Sequence, residues 1–177
     1  MRKLSLTELN RQNLDEYRSA SKIPIVVVLD NIRSAHNVGS FFRTVDGLGL
    51  ERIILTGIAA RPPHKEINKT AIGATNSVVW DYESDTLEAI IKLKTQGYII
   101  LGVEQTDKST LLRNMPLDKT KKYAVVFGNE VEGISNELMS ELDQAIEIEQ
   151  FGTKHSFNVA VCGGMTLWEL SRQLREK

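Results

Sequence analysis

Short aliphatic runs alternating with amphipathic helical stretches predict an α/β domain built on a mainly parallel sheet. Three observations carry that reading. The run at 25–29, Ile-Val-Val-Val-Leu, is apolar at every position, the pattern of a strand covered on both faces. The segment behind it places Val38, Phe41, Phe42, Val45 and Leu48 on one helical face. Further apolar runs at 52–55, 98–103 and 123–127 recur with helical stretches between them, the order that builds parallel sheets.

In chain order, residues 4–20 read as a polar amphipathic helix, and Pro24 marks the entry to the first strand. Gly47 and Gly49 end the helix that carries Phe41 and Phe42. After the strand at 52–55 comes a looser region, with the Pro62-Pro63 break and the polar stretch HKEINKT. Residues 78–82 read as a short strand, and SDTLEAIIKLKTQG as a helix with a Ser or Asp cap and a terminal Gly. The stretch EQTDKSTLLRNMPLDKTKK is polar and irregular in pattern. A short helix at 135–142, a last strand at 145–148 and a closing helix at 158–174 complete the order.

At 177 residues the chain suits one domain with a substantial core. No apolar run reaches the roughly 18 residues of a membrane span, and the polar N-terminus does not read as a secretory signal. The lone Cys162 lies in an apolar run and reads as a buried small hydrophobe; with no internal partner it fits a reducing, cytoplasmic location. The net charge of −1 excludes a strongly basic nucleic-acid binder, yet the charge is uneven. Residues 31–75 carry mostly cations, whereas 130–149 is acidic.

Ligands of open α/β sheets bind where strands end, which singles out three loops. They are DNIRSAHNVGSFFR after the first strand, FGNEVEGIS after the strand at 123–127, and IEQFGTKHSFN after the last. A dinucleotide fingerprint fails, because GLGLER precedes a strand and lacks the third Gly. No Gly-Lys-Ser/Thr follows a strand, and no His, Cys or carboxylate pair has metal-ligand spacing, so no metal is expected. Glu130 and Glu132 in the second loop would repel a phosphate and favour a neutral or cationic ligand such as an adenosyl group. Each loop also has a plainer explanation. Asn37 could cap the helix, Arg43 lies opposite the apolar stripe as a solvated charge would, Gly128 and Gly133 could form a tight turn, and Ser156 and Asn158 could cap the closing helix. Gly163-Gly164 inside a helix costs stability unless a partner helix packs closely there.

Together the loops resemble the motifs of the SpoU/TrmH-type family of SPOUT RNA methyltransferases. NVGSFFRT (37–44) is similar to Asn-x-Gly-x-x-x-Arg, FGNEVEGI to Gly-x-Glu-x-x-Gly, and GTKHSFNVAV to a motif with Ser-Leu-Asn-Val at its core. The resemblance runs from about residue 25 to the C-terminus, with residues 1–24 as an N-terminal helical extension and 25–177 as the methyltransferase domain. It implies a deep C-terminal trefoil knot, a homodimer, and S-adenosylmethionine (SAM) bound at Leu101, Gly102, Gly128, Ile148 and Phe157. The implied reaction is methyl transfer to a ribose 2′-hydroxyl of tRNA or rRNA. Arg43 is the implied catalytic residue, with Asn37, Glu130, Ser156 and Asn158 completing the shell. A guanidinium is a poor base, so Arg43 suits phosphate positioning and alkoxide stabilisation. Arg33, Arg61, His64, Lys65, Lys69, Lys154 and His155 are candidate RNA phosphate contacts. Two departures stand out: Ile148-Glu149-Gln150 where the family usually has Ile-Pro-Met, and Phe157 in place of Leu. The competing readings are a non-catalytic RNA-binding or ribosome-assembly protein of the same fold, and a methyltransferase acting on a base nitrogen.

Overall fold

Period-two alternation within the strands decides the layering. In β1 (Ile23–Asp30), Ile25, Val27 and Leu29 project to one face and Val26 and Val28 to the other, and all five are fully buried. The first set packs with Val38, Phe41, Phe42 and Val45 of α2 (Ala35–Leu48), Ile67 and Ala71 of α3 (Lys65–Ala71), and Leu167 and Leu170 of α6 (Val159–Arg175). The second set packs with Ala89, Ile90 and Leu93 of α4 (Thr86–Thr95) and Leu138 of α5 (Asn136–Met139). A sheet whose central strands are apolar on both faces therefore carries a helical layer on each face, as their composition requires.

The computed structural model describes residues 1–5 and 7–175. Its remaining elements are α1 (Leu14–Ser19), β2 (Leu50–Thr56), β3 (Trp80–Glu83), β4 (Tyr98–Val103), β5 (Thr110–Leu111), β6 (Lys122–Phe127) and β7 (Gln144–Glu147). All strand pairs are parallel, in the order β3-β2-β1-β6-β4-β7-β5. Both edge strands are short, which limits the exposed ladder. The loops leaving β1, β4, β6 and β7 emerge at one edge of the sheet, from four strands that are neighbours.

Several expectations need correction. Only Leu14–Ser19 of the expected helix at 4–20 is helical. Asn10 at φ 43° breaks the run, and a capping box between Asn13 and Glu16 starts the helix afresh; Leu6, in the same stretch, lies outside the described residues. The looser region contains α3, capped by His64 Nδ1 accepting from the Glu66 N–H at 3.2 Å. Seven residues with only Ile67 and Ala71 buried are too few to show a helical period. Pro24 falls inside β1, one residue after its start, and a register shift between Ile23 and Val26 accommodates the missing N–H. Gly49, at φ 59°, is the left-handed cap of α2, whereas Gly47 lies within the helix. The expected helix at 135–142 shortens to α5.

Candidate active site

The N-terminus of α2 organises the site. Ser34, not Asn37, caps that helix, its Oγ accepting from the Asn37 N–H at 3.3 Å. The Asn37 side chain is thereby free for other partners. Its amide nitrogen donates to Glu130 Oε1 at 2.9 Å, and its amide oxygen accepts from Asn158 Nδ2 at 3.2 Å. Glu130 also accepts from the backbone N–H groups of Arg33 (2.9 Å) and Ser34 (3.0 Å). Burial works to raise the Glu130 pKa, but those two N–H groups and the Asn37 amide outweigh it and hold the carboxyl below its ordinary value. An ionised carboxylate at a helix N-terminus is also favoured by the helix dipole. Glu130 is therefore consumed as a tie between the loops after β6 and β1, rather than left as a free repeller of phosphate. Asn158 serves two elements at once, because its Oδ1 also caps α6 by accepting from Ala160 (3.0 Å) and Val161 (3.2 Å).

Beside this network lies a cleft of about 800 Å³ at the carboxyl ends of β4, β6 and β7. Of the residues named by the resemblance, Gly128, Glu130, Ile148, Ser156, Phe157 and Asn158 line it. Leu101 and Gly102 do not. Both are buried within β4, where a Cβ on Gly102 would lie 2.3 Å from Leu142 Cδ1, so the strand meets the cleft only from Val103 onward. The tight turn foreseen at Gly128 and Gly133 is present as well. Asn129 and Gly133 exchange backbone hydrogen bonds (3.1 and 2.9 Å), and a Cβ on Gly128 would lie 2.2 Å from the Gly133 carbonyl carbon. Cys162 is half-buried and lines the cleft, a correction to its reading as a buried hydrophobe; burial raises its thiol pKa. Sequence reading also missed Glu104, Gln105 and Glu147 on the cleft wall, and took Gln150 there only as a departure from the family pattern. For Glu104 and Gln105 the position directly after a strand was the available signal, obscured because no Gly accompanies it. Glu149, which stands where the family usually has Pro, pairs with Arg113.

Arg43 stands apart from this group. Six residues beyond Asn37, it is about 9 Å further along α2 and on another side of the helix. It is exposed and lines a separate depression of about 440 Å³ with Ser40, Thr44, Lys69 and Thr70. The candidate catalytic set is thus split within one chain. The candidate RNA contacts are dispersed too. Arg61 lies over the Tyr82 ring at 4.1 Å, Lys69 pairs with Glu66 at 2.8 Å, and His64 serves as a cap. Arg33 and Lys65 are exposed, as are Lys154 and His155 on the third loop, where His155 reaches the cleft. Among the described residues no cluster of His, Cys, Asp or Glu could hold a metal ion, and no helix is long and apolar enough to cross a membrane.

Comparison with known proteins bears on the same segments. The chain is 31% identical over 160 residues to the 23S rRNA (guanosine-2′-O-)-methyltransferase of Neisseria meningitidis, covering 90% of this chain and 62% of that one. It is 30% identical over 169 residues to the tRNA (guanosine(18)-2′-O)-methyltransferase of Thermus thermophilus, covering 94% and 84%. The chain therefore spans less than two thirds of the Neisseria relative. The fold matches the crystal structure of the Aquifex aeolicus TrmH/SpoU tRNA modifying enzyme (TM-score 0.79, 27% identity, 90% and 80% covered). It also matches an AdoMet-bound rRNA methyltransferase from Sinorhizobium meliloti (TM-score 0.80, 26% identity, 90% and 61% covered). Residues 24–168 match the family model described as the SpoU rRNA Methylase family, and that span takes in all three loops, all of the parallel sheet but Ile23 and most of α6. By that match, the chain belongs to the SpoU rRNA methylase family.

Proposed function

We infer that this chain transfers the methyl group of SAM to a ribose 2′-hydroxyl of tRNA or rRNA. The observation that carries the reading is the junction of the Glu130–Asn37–Asn158 network with the cleft beside it. The cleft fits the cofactor on its own chemistry. Its volume is that of a small-molecule site, and besides the tied Glu130 its wall carries Glu104, Glu132 and Glu147 but no Lys or Arg. Such a wall suits a ligand bearing a sulfonium and an ammonium and disfavours one bearing phosphates. The AdoMet-bound relative supports the same assignment. Gly128, Ile148 and Phe157 would hold the cofactor, with Val103 and Ile146 in place of Leu101 and Gly102.

When bound, SAM supplies an electrophilic methyl group; the chain's own residues must present the hydroxyl. Arg43 is a permanent cation with five donors, suited to grip the phosphate beside the target ribose and to offset charge on the emerging alkoxide. Lys69 and the hydroxyls of Ser40, Thr44 and Thr70 line the same depression and would share the phosphate. Asn37, Ser156 and Asn158 would orient the ribose at the cleft mouth, with Glu130 fixing the Asn37 amide. The separation of Arg43 from the cleft supports a homodimer in which one protomer's Arg43 serves its partner's cleft. Val161 (55% exposed) and Trp168 (62%) lie on one side of α6, an apolar face a second copy would cover. A trefoil knot agrees with β7 lying beyond β4 while α6 returns to pack on α2 and β1. Residues 1–24 then form an extension and 25–177 the catalytic domain, of which 176–177 lie outside the described residues. A lone cysteine supports a cytoplasmic setting.

The test incubates purified protein with methyl-labelled SAM and total RNA from cells lacking the gene, with Arg43→Ala in parallel. Label in one RNA size class, alkali-resistant at the modified linkage and lost in the variant, is the expected result. Absence of both label and SAM binding refutes the enzyme reading.

A further inference from the structure

The three loops recognised by sequence are joined to one another through Glu130, Asn37 and Asn158. Further ties to the second and third loops come from the first two residues after β4, in the polar stretch that sequence reading passed over. Glu104 turns toward the second loop: Oε2 accepts from the Ile134 N–H at 3.1 Å and Oε1 from the Gln105 N–H at 2.9 Å. The fit is close, since a Cβ on Gly133 (φ 68°) would lie 2.2 Å from Glu104 Oε2. Gln105 turns toward the third loop. Its Nε2 donates to the His155 carbonyl at 3.0 Å, and Gln150 Nε2 donates to the same oxygen at 3.3 Å. Every residue from Phe151 to Asn158 is exposed. Among the described residues, this shared carbonyl and the Asn158–Asn37 contact are the side-chain tethers that hold the segment bearing Ser156.

We propose that Glu104 and Gln105 are positioning residues that assemble the cofactor cleft, Glu104 by shaping the second loop and Gln105, with Gln150, by holding the third loop closed. The proposal rests on the reading of the cleft as a SAM site. It also accounts for a departure in the sequence. A proline restrains a loop through its fixed φ, and here, where Glu149-Gln150 replaces Pro-Met, two amides on one carbonyl supply the restraint.

The test exploits a tryptic site, the Lys154–His155 bond, which adjoins the tethered carbonyl. Gln105→Glu is isosteric but presents no donor, and the exposed position keeps the fold intact. Gln105→Ala serves as a second variant for the third loop, and Glu104→Gln, which acts on the second loop, is read by SAM affinity rather than by cleavage at Lys154. In ligand-free protein, cleavage at Lys154 should rise about two- to fivefold, the size of one lost solvent-exposed hydrogen bond. The melting temperature should stay unchanged. SAM affinity by calorimetry should weaken by a similar factor. KM for SAM should rise while kcat at saturating cofactor stays within about twofold, because bound cofactor recloses the loop. Cleavage at the wild-type rate, or faster cleavage with unaltered SAM affinity, overturns the proposal. Failure of the wild type itself to bind SAM refutes the assignment of the cleft instead, and the cleavage rates still decide whether Gln105 holds the loop.

Discussion

Two glycines in α2 should respond to alanine with opposite signs. A Cβ on Gly39 would lie 2.1 Å from Thr70 Oγ1 and 2.3 Å from the Ile67 carbonyl oxygen, while a Cβ on Gly47 meets nothing within 4 Å. The threonine hydroxyl can rotate, but the Ile67 carbonyl belongs to the backbone of α3. Ordinary contact therefore requires α3 to retreat by about 1 Å, which opens the packing around Ile67 and Ala71, both essentially unexposed. Overpacking of this kind costs about 1–3 kcal/mol, and the better helix propensity of alanine returns up to about 1 kcal/mol. Gly39→Ala should thus destabilise by about 1–2 kcal/mol, whereas Gly47→Ala should stabilise by up to about 1 kcal/mol. In urea the midpoints should move in opposite directions at constant slope. The melting temperatures should separate at about 2–4 °C per kcal/mol for a chain of this size. SAM affinity of the folded protein should not change with Gly39→Ala, because Gly39 does not line the cleft. Equal shifts in one direction would refute the reasoning that α3, and not a ligand, requires a glycine at this position.

Further expectations follow from the same geometry. Gly163→Ala would place a Cβ 2.3 Å from the Phe41 ring, which is 1% exposed and cannot swing away, so a loss of about 1–3 kcal/mol is expected in urea; Gly164, with nothing within 4 Å, is the tolerant neighbour. Glu130→Gln leaves one acceptor oxygen where the carboxylate has three donors, and should cost about 1–3 kcal/mol at pH 7. The pKa of Glu130 is depressed in the folded state, so its contribution is complete above the unfolded value and lost as pH falls through the folded one. Its removal should flatten the acid limb of stability measured by urea titration at several pH values. Asn37→Asp sets a carboxylate against Glu130 at a 2.9 Å contact and should lower turnover by about 100-fold while SAM binding persists; full turnover in a methyl-transfer assay would contradict the assigned role.

How far the sequence could be read depended on how local each feature is. The strands at 25–29, 98–103 and 123–127 were legible because short continuous apolar runs have few other uses in a chain of this composition, and the structure extends them by no more than two residues at either end. The α3 helix was not, since its two buried positions make no period. Glu130, Ser156 and Asn158 line the cleft with Asn37 bonded beside them, yet no spacing rule foretold the Glu130–Asn37–Asn158 order, which depends on β6 lying beside β1. Leu101 and Gly102, named by the resemblance, lie in the core because β4 meets the cleft only from Val103 onward. Glu104 and Gln105 went unread for a related reason: a polar stretch without Gly looks like ordinary surface until its partners are seen.

The fixed spacing within NVGSFFRT acquires a physical meaning once α3 is considered. Gly39 and Arg43 are four residues apart, so they lie one turn from each other on the same side of α2, while Asn37 faces elsewhere. The missing side chain at Gly39 lets α3 approach until Thr70 Oγ1 would touch a Cβ there. Thr70 donates at 2.9 Å to the His36 carbonyl, and Glu66 binds His36 at 2.8 Å, which pins α3 against α2 at two further points. That approach brings Lys69 and Thr70 alongside Arg43, and the depression they share exists because the helices are this close. The glycine therefore acts on the arginine at a distance of one helical turn. Pushing α3 away would widen the proposed phosphate cradle before it disturbed the cofactor cleft. An alanine at position 39 should accordingly weaken RNA binding more than SAM binding. Comparison of KM for RNA with SAM affinity in that one variant decides whether the motif's glycine and arginine form a single device, and an equal loss in both would separate them.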